Sequence, residues 1–244
     1  MVQDATMTTG SPPPHIPPQE DPLRPVCEAP RDRAFVVAQL GQSLDGRIAT
    51  LTGESRWINR DAALDHLHRL RAAVDAVVVG VGTVIADDPR LTVRRVEGRN
   101  PVRVVIDPNG RLPANARCLA EDGTRRLVIR RKGGPAPPGV EVVELATDGA
   151  LFSPRTIVAG LHARGLRRLL VEGGAWTISS FIDAGAVDRL HVLVAPMILG
   201  SGKIGLSLAP IARIEQALQP PTRVHVLADG DVLFDCDLRN WKGG

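Results

Sequence analysis

The chain has 244 residues, a formal charge of +3, 43% hydrophobic residues and 23% charged ones. That apolar content excludes a largely disordered protein, and the length suits one α/β domain, or at most two small ones, with a proper core. Three scattered cysteines, Cys27, Cys118 and Cys236, argue against a disulfide framework or a zinc site and fit a reducing, cytoplasmic compartment. The best apolar run, Ala76 to Ala86, is closed off by Asp75 and Asp87 and falls short of the ~18 residues of a membrane span. No basic segment leads into an apolar one at the N-terminus, so no secretory signal is read. Lys and Arg (30) nearly balance Asp and Glu (27), tyrosine is absent, and the one basic cluster, Arg130-Arg131-Lys132, runs into a Gly/Pro loop. A nucleic-acid partner is therefore not expected.

Residues 1 to about 30 carry eight of the 20 prolines and little to bury, which predicts a flexible tail over 1–33 and a folded domain over 34–244. Ala34 to Leu40 reads as a buried strand. Asp61 to Val74, with Leu64, Leu67, Leu70 and Val74 at helical spacing, reads as a helix capped by Asn59 or Asp61. Ala76 to Val79 and Val102 to Ile106 are β-branched runs, the second ending at the turn Asp107-Pro108-Asn109-Gly110. Leu127 to Ile129 and Val140 to Leu145 follow as strands, then helix over Thr156 to Arg164, strand over Leu169 to Val171, helix over Trp176 to Ala184 and strand over Leu190 to Ala195. Arg223 to Leu227 and Val232 to Leu238 flank Ala228-Asp229-Gly230-Asp231 as a hairpin. This alternation predicts an α/β fold: a mostly parallel central sheet with helices on both faces and a C-terminal antiparallel hairpin.

Ligands of such sheets sit beyond the carboxyl ends of the strands. The turn Glu172-Gly173-Gly174, leading into Trp176 and Thr177, lets the backbone approach a ligand closely and offers it a helix N-terminus. Gly80-Val81-Gly82 is a second glycine turn, although Ile85 stands where a Rossmann fingerprint needs its third glycine. Arg71, Arg94 and Ser55 form a candidate phosphate clamp, although spacing alone favours a helix-end arginine and a solvated edge. His66-x-His68 points to different sides of a helix, so no metal site is read, and no serine lies in a G-x-S-x-G elbow.

Seven segments together are similar to the reductase domain of the bacterial riboflavin-biosynthesis deaminase/reductase. They are SLDGRIA (Ser43 to Ala49), GESRWI (Gly53 to Ile58), HRLRA (His68 to Ala72), VGVGTVIADDPRLTVR (Val79 to Arg94), NPVRVVID (Asn100 to Asp107), LLVEGG (Leu169 to Gly174) and VDRLHVLVAPMILG (Val187 to Gly200). The resemblance implies a dihydrofolate-reductase-like fold, a homodimer, and hydride transfer from NADPH to the ribose carbon of 5-amino-6-(5-phosphoribosylamino)uracil, giving a ribityl chain. It places the cofactor on Gly41, Trp57, Thr83, Asp87 and the stretch Gly174, Ala175, Trp176, Thr177, Ile178, Ser179 and Ser180. It places the phosphorylated substrate on Ser55, Arg71, Leu91, Arg94 and Glu172, with Glu172 stabilising developing positive charge and Asp87 orienting the nicotinamide. The chain departs from the family in three ways. A proline-rich stretch stands in place of the deaminase half, so no deamination is expected; Gln39 replaces the first-strand lysine; and Pro108 cannot donate to a 2′-phosphate, leaving Asn109 or Arg111. A same-fold reductase of a related pyrimidine or pterin, and a non-catalytic nucleotide binder, are the alternatives.

Overall fold

The computed structural model describes residues 20–133, 137–147 and 151–239. In chain order the elements are α1 (Arg24–Cys27), β1 (Phe35–Ser43), β2 (Arg47–Thr50), α2 (Asp61–Ala73), β3 (Ala76–Gly80), α3 (Val81–Asp87), β4 (Val102–Ile106), β5 (Arg126–Arg130) and β6 (Glu141–Glu144). They continue as α4 (Pro154–His162), β7 (Arg168–Glu172), α5 (Ala175–Asp183), β8 (Arg189–Ala195), β9 (Gly202–Ile204), β10 (Thr222–Val226) and β11 (Val232–Asp237).

Among the described residues, nine strands form one sheet in the order β10-β11-β8-β1-β7-β3-β4-β5-β6. Pairings from β8 to β6 are parallel, and β11 joins β8 and β10 antiparallel. β2 and β9 make a separate antiparallel pair. The parallel strands are apolar on both faces, as a sheet covered by helices on both sides requires. Val36, Ala38 and Leu40 pack with α4 and α5 residues such as Ile157, Ile178 and Phe181. Phe35 and Val37 pack with Leu70 of α2 and with Val81 and Val84 of α3.

The expected tail needs a correction over its last third. Residues 1–19 lie outside the described residues, but α1 packs on the domain, with Leu23 and Val26 buried in the core on the α2 face. Pro25 begins its single turn without needing an N–H, and Asp21 accepts the Leu23 N–H at 3.1 Å, so a proline-rich composition did not prevent burial here. Three short elements, α3, β2 and β9, also lie where loops were read; each is too brief to carry a periodic signal.

Neighbouring strands β7 and β3 send their following helices to opposite faces: α5 into one core and α3 into the other. A crevice opens at such a switch point, outside the carboxyl ends of the strands.

Candidate active site

The crevice holds a cavity of about 450 Å³, walled by the two glycine turns. Gly173 (φ 71°) and Gly174 (φ 63°) both take left-handed backbone. A Cβ on Gly173 would lie 2.6 Å from Thr83 Cγ2, so only glycine lets the turn before α5 close against α3. Gly174 also caps α5, leaving the first N–H groups of that helix facing the cavity. Thr83, Asp87, Gly174, Ala175, Trp176, Thr177 and Ser180 line it, as the resemblance implied for a cofactor. Ser55 lines it too, apart from the recess of the arginines with which it was grouped. The far wall is Pro108, Asn109 and Arg111 after β4, with Phe152 and Leu151 beside them. Lys203 of β9 reaches in from the β2–β9 pair.

Two residues expected on the cofactor turn elsewhere. Ile178 is fully buried in the core, and the Ser179 hydroxyl accepts the Ser207 N–H at 2.9 Å. Helical rotation carries both side chains off the face that Trp176, Thr177 and Ser180 present. Gly41 does not line the cavity; its missing Cβ makes room for the Asn59 amide, which would lie 2.0 Å away. Trp57 stands 78% exposed on left-handed backbone (φ 72°) in the segment that connects β2 to α2.

A second recess of about 220 Å³ adjoins the first, and Asp87 lines both. It is formed by Arg56, Arg71, Arg90, Arg94 and Arg117, with Asp87, Asp88, Pro89 and Leu91. Among the described residues, the guanidinium groups of Arg56, Arg90, Arg94 and Arg117 have no ion pair or hydrogen bond. Desolvation lowers the Arg94 pKa, and the like charges of Arg71, Arg90 and Arg117 add to it, a repulsion that an anion would relieve. Desolvation conversely raises the Asp87 carboxyl, against the pull of Lys203 and Arg56.

Arg71 differs from the other four. Its Nε and Nη2 donate to the two Glu172 oxygens at 2.7 and 2.6 Å, and Nη1 donates to the Thr92 carbonyl at 3.1 Å. Both side chains are over nine-tenths buried. Burial opposes the Arg71 charge, but the Glu172 charge and hydrogen bonds overcome it and raise the pKa. Glu172 is thus a carboxylate already neutralised by a fixed arginine, not a lone anion facing the cavity. In register with Glu172 across the sheet lies Gln39, then His191 on β8 and Asp235 on β11. His66 of α2 meets His191 at 3.0 Å, Arg189 pairs with Asp235, and burial drives the His66 pKa down to about 3.

Sequence reasoning missed Arg56, Arg90, Arg117 and Lys203 as site residues. Arg90 lies inside the matched stretch that ends at Arg94, and Arg56 directly follows Ser55; Arg117 and Lys203 are brought in by chain segments with no local signal. Among the described residues, no group of three or more His, Cys, Asp or Glu is placed to hold a metal, and no helix is long and apolar enough to cross a membrane.

Residues 34–220 match the model of the RibD C-terminal domain. Riboflavin biosynthesis protein RibD of Aquifex aeolicus is 36% identical over 211 residues, which are 84% of this chain and 58% of that protein. The 2,5-diamino-6-ribosylamino-4(3H)-pyrimidinone 5′-phosphate reductase of Methanothermobacter thermautotrophicus is 39% identical over 178 residues, 69% of this chain and 80% of that protein. Among solved structures, a deaminase/5-amino-6-(5-phosphoribosylamino)uracil reductase of Thermotoga maritima superposes with a TM-score of 0.72 at 32% identity, covering 85% of this chain and 57% of that one. The chain thus spans little more than half of the Aquifex and Thermotoga proteins and most of the Methanothermobacter one. On this match, and on the sheet that it shares with them, the chain belongs to the RibD C-terminal domain family.

Proposed function

We propose that the chain is an NADPH-dependent reductase of the ribose in 5-amino-6-(5-phosphoribosylamino)uracil. The observation that carries this reading is the position of Asp87, which lines both the glycine-walled cavity and the arginine recess. A dinucleotide in one and a phosphorylated sugar in the other would meet at that carboxylate.

The glycine cradle fits a dinucleotide: Gly173, without a Cβ, lets the turn close against Thr83, and the α5 N-terminus faces the cavity. NADPH, when bound, supplies the hydride. Thr83, Gly174, Ala175, Trp176 and Thr177 would hold it, and Arg111 is the cation on the far wall that a 2′-phosphate would find. Arg94, with Arg56, Arg90 and Arg117, would fix the substrate phosphate through charge-assisted bonds. That anchorage orients the acceptor carbon, and orientation contributes a large part of such a rate enhancement. Arg71, held rigid by the buried Glu172, lines the recess, and Asp87 would orient the reacting groups at the junction.

A second reading keeps the site and changes the ring: a 2,5-diaminopyrimidinone in place of the uracil. It is favoured by the archaeal relative's name and by Gln39, which is buried, uncharged and, among the described residues, without a hydrogen-bond partner for its amide. NADPH consumption measured with both acceptors, the product identified by mass, decides between them. Turnover of neither removes the proposal and leaves a nucleotide-binding protein. We also read the chain as a cytoplasmic homodimer, a reading that the exposed Val226 on the end strand β10 supports for the dimer.

A further inference from the structure

Helix α2 carries the residues that set the arginine recess, yet it lacks a cap of its own. Its N-cap residue, Arg60, makes no side-chain capping bond. The orphan N–H groups are taken instead by the turn of the C-terminal hairpin, some 170 residues away in sequence. Asp229 Oδ2 accepts the Ala62 N–H at 2.7 Å, and Asp231 Oδ2 accepts the Arg60 N–H at 2.9 Å and the Asn59 amide at 3.1 Å. Arg60 in return donates to the Asp229 carbonyl. Two carboxylates at a helix N-terminus also match its dipole.

From that fixed end, α2 holds the strip that bears Arg94 at four points along one side. Arg95 pairs with Asp61 at 2.8 Å and with Asp65 at 2.6 Å. His68 Nδ1 accepts the Arg94 N–H at 3.0 Å, and Arg71 donates to the Thr92 carbonyl. The steps of four, three and three residues place all four on one helical stripe. The strip 92–95 therefore has its place from α2, and α2 has its start from the hairpin.

We propose that Asp229 is a positioning residue for the phosphate recess: by capping α2 it fixes the register of the helix and, through it, the position of Arg94. The proposal rests on the reading of that recess as the substrate-phosphate site. The first turns of α2 carry Asp61 and Asp65, so loosening the helix start reaches the strip directly through Arg95, the neighbour of Arg94.

The test compares Asp229→Ala with Asp229→Asn on the full chain; Asp229 is only partly buried, so both should fold. Asparagine accepts the same N–H and caps as well as aspartate, whereas alanine does not. Two readouts are taken: hydrogen exchange of the amides in 90–95, and the KM and kcat for the phosphorylated acceptor beside the Kd for NADPH. Asp229→Ala is expected to speed exchange in 90–95 and raise KM about fivefold, the factor that corresponds to loss of one cap. kcat and the NADPH Kd are expected to stay near wild type, and Asp229→Asn to restore exchange and KM. A cap of merely structural importance would lower the melting temperature and leave both readouts unchanged, and that result overturns the proposal. Unchanged exchange overturns it whatever the acceptor does. If the wild type itself shows no affinity for the phosphorylated acceptor, the reading of the recess fails, while exchange still decides whether the hairpin holds the strip.

Discussion

The two halves of the crevice are built in opposite ways. The glycine turn that walls the first cavity is local: a strand end, two glycines with left-handed backbone and the first turn of a helix, consecutive from Glu172 to Thr177, although the rest of the lining comes from segments as far apart as Ile48 and Lys203. The arginine recess takes most of its lining from the stretch Asp87 to Arg94, but what fixes its Arg71 is non-local. Its Arg71–Glu172 pair joins residues 101 apart, and its floor depends on a helix capped from the far end of the chain. The comparison teaches that a glycine turn can be written in a short motif, while a fixed arginine rests on long-range pairs, where single changes spread furthest.

The largest effect is expected at the long-range pair. Arg71→Ala or Glu172→Gln strands a buried charge or breaks its hydrogen bonds, and removal of one partner should cost about 3–5 kcal/mol of stability in urea unfolding. The double variant Arg71→Met/Glu172→Leu should regain much of that stability and still not bind the acceptor. Equal stability of the single and double variants would show that the pair is not coupled.

On the local side, Gly173→Ala puts a methyl group against Thr83 on backbone with φ 71°. Strain on the order of 1–3 kcal/mol should result, with NADPH binding weakened about tenfold or more in a fluorescence titration. Acceptor KM should change far less. If both ligands weaken alike, the two halves are not separable.

How legible each half was in the sequence follows the same division. The β-branched runs, the helix over Asp61–Ala73 and the terminal hairpin are marked by period and turn residues, and the structure has them within a few residues. The glycine turns are equally visible. The roles of Ile178 and Ser179 were misassigned because a motif gives a run of residues without giving the helical rotation that turns some of them into the core. The partner of Glu172, the burial of α1 and the arrival of Arg117 and Lys203 at the crevice depend on tertiary placement, which no local pattern encodes.

The smallest effect is on pH. Burial holds the pKa of His66 near 3 and that of His68 near 4, against 6.5 for the free side chain. Below the free value the unfolded chain binds protons that the folded one refuses, so stability is full above pH 6.5 and falls as pH drops toward 4 and then 3. Thermal melts across that range should show a flat midpoint above it and a decline below it. His66→Gln should make the decline shallower from pH 6.5 downward and end it near pH 4, where His68 alone stops contributing; an unchanged slope would mean that His66 does not contribute.

The most direct test of the recess is a cycle of wild type and Arg94→Ala against the acceptor with and without its phosphate. Loss of the phosphate is expected to lower the wild-type kcat/KM by about a hundredfold, the scale of a charge-assisted pair. Arg94→Ala is expected to respond far less to the same loss, with NADPH affinity unchanged. An equal response of the two proteins to phosphate removal would contradict the assignment of Arg94 and, with it, the division of the crevice into a cofactor half and a phosphate half.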